Sequence, residues 1–150
     1  MNAIDTVEIL LVEDSEEIAE MTRRVLKKNK LDGNVVWVND GNKAVDFLLR
    51  QGDYSGRANV QPRLVLLDLH LPTVDGHAVL KQIKSHPATR HVPVVMITTS
   101  HDERDIATSY ELGANSYLVK PIDPAEFTKV IGDASLYWAL MNRVAPPALV

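Results

Sequence analysis

The chain contains no cysteine, which excludes disulfides, thiolate zinc sites and cysteine nucleophiles. Nowhere in its 150 residues does an apolar run approach the roughly 18 positions of a membrane-spanning helix. Positive charge is in deficit: 16 Lys and Arg face 20 Asp and Glu, for a net charge of −4. Nothing in that balance favours nucleic acid or an anionic membrane as a partner. The first twenty residues carry acids rather than a basic segment followed by a long apolar one, so no secretory signal is expected and the cytoplasm is the expected location. Internal repeats and low-complexity tracts are also missing.

What remains is an ordinary globular composition, 45% hydrophobic and 24% charged. Residues 1–150 are expected to form one domain, large enough to bury roughly 70% of its unfolded surface. Strand-like and helix-like segments alternate from end to end. Val7 to Val12 reads as a buried strand, followed by the amphipathic stripe Ile18, Met21, Val25 and Leu26. Val35 to Val38 is β-branched and aromatic, and Ala44, Val45, Leu48 and Leu49 follow as a second helical stripe. Gln51 to Arg63 is polar and reads as a loop. Leu64 to Leu67 is the third strand, and Val79, Leu80 and Ile83 mark a third helix ended near Pro87. Val92 to Ile97 is the fourth strand; Asp102 to Leu112 is a helix with Gly113 as its C-cap. Ser116 to Val119 is the fifth strand, and a long last helix starts at Asp123-Pro124. Five strands alternating with five helices predict a parallel sheet covered on both faces.

Asp14, Asp68, Thr98 and Lys120 each follow an apolar strand run. In a parallel sheet those positions share one edge, where open α/β folds bind their ligands. Glu13, Asp14 and Asp68 are therefore expected together, with Thr98 and Lys120 facing them. Three clustered carboxylates repel and resist desolvation. A hard cation such as Mg2+, which takes oxygen ligands and keeps several waters, and the Lys120 ammonium would relieve that cost. With a cation in place, Asp68 can act as an oxygen nucleophile toward phosphorus. The charge of the resulting phosphoryl group would be spread over the cation, Lys120 and the Thr98 hydroxyl.

The set Glu13-Asp14, Asp68 with Pro72 and Asp75-Gly76, Thr98, and Lys120-Pro121 resembles the receiver domain of bacterial two-component response regulators. The match runs from Val7 to Asp133, in order, on the right elements. The resemblance implies a flavodoxin-like (βα)5 fold and a phosphoacceptor switch rather than an enzyme acting on an external substrate. It also implies that the domain supports its own Mg2+- or Mn2+-dependent phosphotransfer and dephosphorylation. Asp68 would take a phosphoryl group from a histidine kinase. Asp14, Asp68 and the backbone carbonyl of His70 would hold the metal, with Glu13 acting largely through water. Lys120 would pair with the phosphoryl group across a cis Lys120-Pro121 bond. Thr98 would be the switch hydroxyl and Tyr117 the switch aromatic, both away from the site before phosphorylation. His70 is expected to line the entrance with its side chain, and His77, His86, His91 and His101 to face solvent. Trp37 is expected in the core or at the sheet edge.

Two features exceed a minimal receiver. One is the Gln51 to Arg63 loop. The other is the apolar content of the last helix and tail, residues 123–150 beyond a core of about 7–133. Phe127, Val130 or Ile131, Ala134, Trp138 and Met141 are assigned to the core. Leu136, Tyr137, Leu140 and Val144 are left over, which predicts a homodimer built on this helix together with the fourth helix and fifth strand. The six residues after Val144 hold no helix-turn-helix, so the expectation is a stand-alone receiver acting by protein contact or phosphoryl relay. The long loop, the Tyr-Trp pair and the Pro-containing tail resemble single-domain regulators partnered with phytochrome histidine kinases. An aspartyl-phosphate phosphohydrolase of the haloacid dehalogenase type is the main rival reading. It wants a second Asp two residues after the nucleophile, where this chain has His70. A flavodoxin-like cofactor carrier would want a phosphate loop after the first strand, and none follows.

Overall fold

The structure is a computed structural model that describes residues 9–31, 33–121 and 123–145. Five strands lie parallel in the order β2-β1-β3-β4-β5: β1 Ile9–Val12, β2 Val35–Val38, β3 Leu64–Leu67, β4 Val94–Thr98 and β5 Ser116–Val119. Between and after them run α1 Glu16–Lys28, α2 Gly41–Leu49, α3 Gly76–Ser85, α4 Glu103–Glu111 and α5 Pro124–Leu136. The expected doubly wound, flavodoxin-like architecture is what the chain adopts. Val7 lies outside the described residues.

Period-two alternation explains why the strand sequences are apolar throughout. Leu10, Val12, Val65, Leu67, Val94 and Met96 point to the face covered by α2 and α3. Ile9, Leu11, Leu64, Leu66, Val95 and Ile97 point to the opposite face, under α1 and α5. Each helix begins at a side-chain cap that satisfies an orphan amide: Ser15, Asp40, Asp75, Asp102 and Asp123. Pro124 occupies the first helical turn of α5, as read from the sequence.

Four expectations need correction. β4 starts at Val94 rather than Val92, because Pro93 has no amide for the ladder, and it includes Thr98 as its last residue. Met141 is not a core residue; it is 71% exposed. The buried positions of the last helix are Phe127, Ile131, Gly132, Ser135 and Ala139. A π-helical turn at Tyr137–Met141 follows α5. Its wider turn keeps Ala139 inward and swings Leu140 and Met141 out. Leu136, assigned to the outer sector, instead packs on the core beside Trp138. Finally, His77 and His91 are half-buried, whereas His86 and His101 are exposed as expected.

The Gln51 to Arg63 segment is a loop with a single 3-10 turn at Gly52–Tyr54, and it is firmly tied down. The Arg57 guanidinium lies 3.7 Å from the centre of the Phe47 ring and donates to the Phe47 and Val60 carbonyls. Gln61 donates to the Leu48 carbonyl at 2.9 Å.

Candidate functional site

Strand register assembles the site. Val12 of β1 sits beside Val38 of β2 and Leu67 of β3, so Glu13 and Asp68 emerge level at the sheet edge, one residue beyond a matched pair. Their amides remain on the ladder, Glu13 donating to the Val38 carbonyl at 3.1 Å and Asp68 to the Val12 carbonyl at 3.0 Å. On the other side Thr98 of β4 pairs with Val119 of β5, and Lys120 comes next, its amide on the Thr98 carbonyl at 2.6 Å.

The Lys120 ammonium bridges the two buried acids, 2.9 Å from Glu13 Oε2 and 3.2 Å from Asp68 Oδ2, with all three side chains at most 8% exposed. Asp14 is exposed, and one oxygen each from Glu13, Asp14 and Asp68 lies within 4.8 Å of the others. Among the described residues no other group of His, Asp or Glu gathers in this way, and no histidine joins this one. Burial pushes the Glu13 carboxyl up to about 7, against the pull of Lys120 and with a further upward push from Asp68. One ammonium set against three carboxylates leaves the edge short of positive charge, and the donors are all hard oxygens. The residues therefore fit a Mg2+- or Mn2+-type ion.

Neighbouring backbone fixes these side chains. The His70 amide donates to Asp68 Oδ1 at 3.2 Å, and the Ser15 amide to Glu13 Oε1 at 3.2 Å. The Trp37 indole donates to the Glu13 carbonyl at 2.8 Å, a support that composition alone did not disclose. The turn after Asp68 closes through the Gly76 amide on the Leu69 carbonyl at 2.7 Å. His70 itself is exposed beside Asp68, where it can line the approach. The Lys120-Pro121 bond is trans, since the described residues contain no cis peptide. Lys120 reaches both acids from that geometry.

Thr98 is fully buried, and its hydroxyl oxygen accepts from the Ser100 amide at 3.2 Å. Tyr117 is half-buried against the α2/α3 side of the core and donates from its hydroxyl to the Ser100 carbonyl at 2.9 Å. Burial pushes its phenol above the usual value. Ser100 also donates to Asp105 Oδ2 at 2.5 Å, at the start of α4. Thr98, Tyr117 and α4 therefore meet at one residue of the β4–α4 loop. Only the fold brings Tyr117 back to Ser100.

The Response regulator receiver domain model matches residues 9–132. The chain belongs to the response regulator receiver domain family. This receiver is 41% identical over 140 residues to response regulator Rcp1 of Synechocystis sp., covering 93% of this chain and 92% of that one. The crystal structure of the Mn(2+)-bound form of Rcp1 superimposes with a TM-score of 0.85 at 38% identity, covering 93% of this receiver and 99% of that chain. The phosphorylated cyanobacterial phytochrome response regulator RcpA gives 0.86 at 33% identity, again over 93% and 99%. This receiver thus sits among regulators related to phytochrome signalling. No helix among the described residues is long and apolar enough to cross a membrane.

Proposed function

We propose that Asp68 is the phosphoacceptor of a cytoplasmic signalling switch charged by a sensor histidine kinase. The observation that carries this reading is the Lys120 ammonium held between Glu13 and Asp68, with Asp14 within reach on the open side. In the transfer step an Asp68 carboxylate oxygen attacks the phosphorus of a phosphohistidine. The O–P bond forms as the N–P bond breaks, and the departing imidazole nitrogen keeps the electron pair and takes up a proton. Lys120 then offers an N–H donor to one phosphoryl oxygen and the Thr98 hydroxyl offers another. Asp14, Asp68 and the His70 carbonyl would hold the metal, with Glu13 behind them; when bound, the ion supplies charge neutralisation at the phosphoryl oxygens. Hydrolysis of the acyl phosphate in the same site resets the switch.

The likeness to the cyanobacterial phytochrome response regulator RcpA supports a kinase of the phytochrome class as the phosphodonor. The output is conformational. Phosphorylated Asp68 favours the arrangement in which Thr98 closes on the phosphoryl group, and the Thr98–Ser100–Tyr117 linkage carries that change to α4. Exposed apolar side chains support a homodimer: Tyr110 of α4, Val119 of β5, and Tyr137, Leu140 and Met141 after α5. The receiver core is then about residues 7–133, and the segment of about 123–150 doubles as an interface.

The test is incubation with Mg2+ and a small acyl-phosphate donor, followed by mass spectrometry and base treatment. Wild type should gain one base-labile phosphoryl group and Asp68→Asn none. Label that persists in Asp68→Asn, or wild type that stays unlabelled with Mg2+, would overturn the assignment.

A further inference from the structure

We propose that the sheet edge opposite Asp68 carries a second binding site, for a small phosphorylated molecule, in a hollow ringed by Arg63, Lys84, Arg90, His91 and Arg143. The proposal is independent of the reading of Asp68. Arg63 precedes β3, Pro93 precedes β4 and Asn115 precedes β5, so this region lies at the strands' N-terminal ends. Three adjoining hollows of about 430, 440 and 470 Å3 meet there around Val144, each in the range of small-molecule sites.

Charge is what distinguishes the place. In a chain of net charge −4, the described residues that line these hollows include five basic side chains and no carboxylate. None of Arg63, Lys84, Arg90 and Arg143 forms an ion pair among the described residues. Lys84 spends its protons on neutral oxygens, those of Arg90, Val92 and Asn115, at 3.2, 2.7 and 2.9 Å. Its charge is thereby fixed in place without being neutralised. Burial, and after it the nearby charges of Lys84 and Arg90, hold the His91 imidazole below its usual value.

His91 and Gln61 line the first of these hollows, and His91 Nδ1 and Gln61 Oε1 are buried without a hydrogen bond. The exposed guanidiniums of Arg90 and Arg143 suit phosphate, which they can grip through paired N–H donors. Trp138 walls the hollow and offers an apolar surface to the rest of the molecule. A concave site on an acidic protein fits a small ligand better than a polyanion such as nucleic acid.

The experiment follows the His91 ring resonances by NMR in the full chain, in EDTA so that Asp68 takes no part. Pyrophosphate, inorganic phosphate and citrate are the probes. Pyrophosphate should saturate, raise the His91 pKa by about half a unit or more, and bind more tightly than citrate. Arg90→Gln/Arg143→Gln should weaken it about tenfold or more, and Arg24→Gln, on the far side of α1, should leave it unchanged. Linear shifts that never saturate, or equal binding by the double variant, would overturn the site. Tighter binding of citrate would overturn its phosphate chemistry.

Discussion

A methyl group added at Gly76 would collide with the Asp68 carbonyl oxygen and the Leu69 Cα, both of them backbone atoms with nowhere to go. Gly76→Ala should therefore cost about 2–4 kcal/mol in urea unfolding, and slow Mg2+-dependent phosphorylation because the segment that carries Asp68 must shift. Unchanged stability would show that the turn yields more easily than its packing implies. Lys84 is a second residue whose surroundings set a measurable property. Burial lowers its ammonium from 10.5 to about 8, so between those pH values the unfolded chain binds more protons and stability rises with pH. Lys84→Met should abolish that rise: denaturation midpoints of wild type should climb from pH 8 to 10 relative to the variant, and parallel curves would refute the assignment. Neither residue is conspicuous in the sequence. Asp75-Gly76 is legible as a turn, but what Gly76 avoids depends on the returning backbone.

At the scale of elements, the β4–α4 connection is the working part of the proposed switch. Thr98 ends β4, its hydroxyl holds the Ser100 amide, and Ser100 holds both Tyr117 and Asp105. Thr98→Ala should still accept a phosphoryl group on Asp68 but lose the phosphorylation-dependent change in amide exchange across α4. Equal changes in mutant and wild type would place the coupling elsewhere. The sequence showed Thr98 and Tyr117 as candidates through their positions at strand ends. The structure adds that the Tyr117 hydroxyl donates to the Ser100 carbonyl in the β4–α4 loop. The last helix teaches the opposite lesson. A period of 3.6 applied through Met141 put that residue in the core; the π turn at Tyr137–Met141 breaks the phase, and no residue type announces such a turn.

For the whole molecule, the exposed apolar groups decide the expected assembly. Leu140 is 52% exposed and Met141 71%, and on a lone chain both would stay in water. Sedimentation should show a wild-type dimer that Leu140→Ser/Met141→Ser shifts to monomer, with acyl phosphate formation retained because neither residue lies near Asp68. A wild type that is monomeric with and without phosphorylation would remove the interface. The amino-acid sequence alone determined the parallel α/β architecture and the gathering of Glu13, Asp14, Asp68, Thr98 and Lys120. Alternation of strand and helix forces parallel pairing, and parallel pairing sends every strand's last residue to one edge. Only the tertiary structure decided which atoms meet there: Lys120 between Glu13 and Asp68, the Trp37 indole behind Glu13, Ser100 between Thr98 and Tyr117. It alone also collected Arg63, Lys84, Arg90, His91 and Arg143 at the opposite edge. Those residues come from four separate segments, and their convergence is a matter of strand order and crossover packing, which no local pattern encodes.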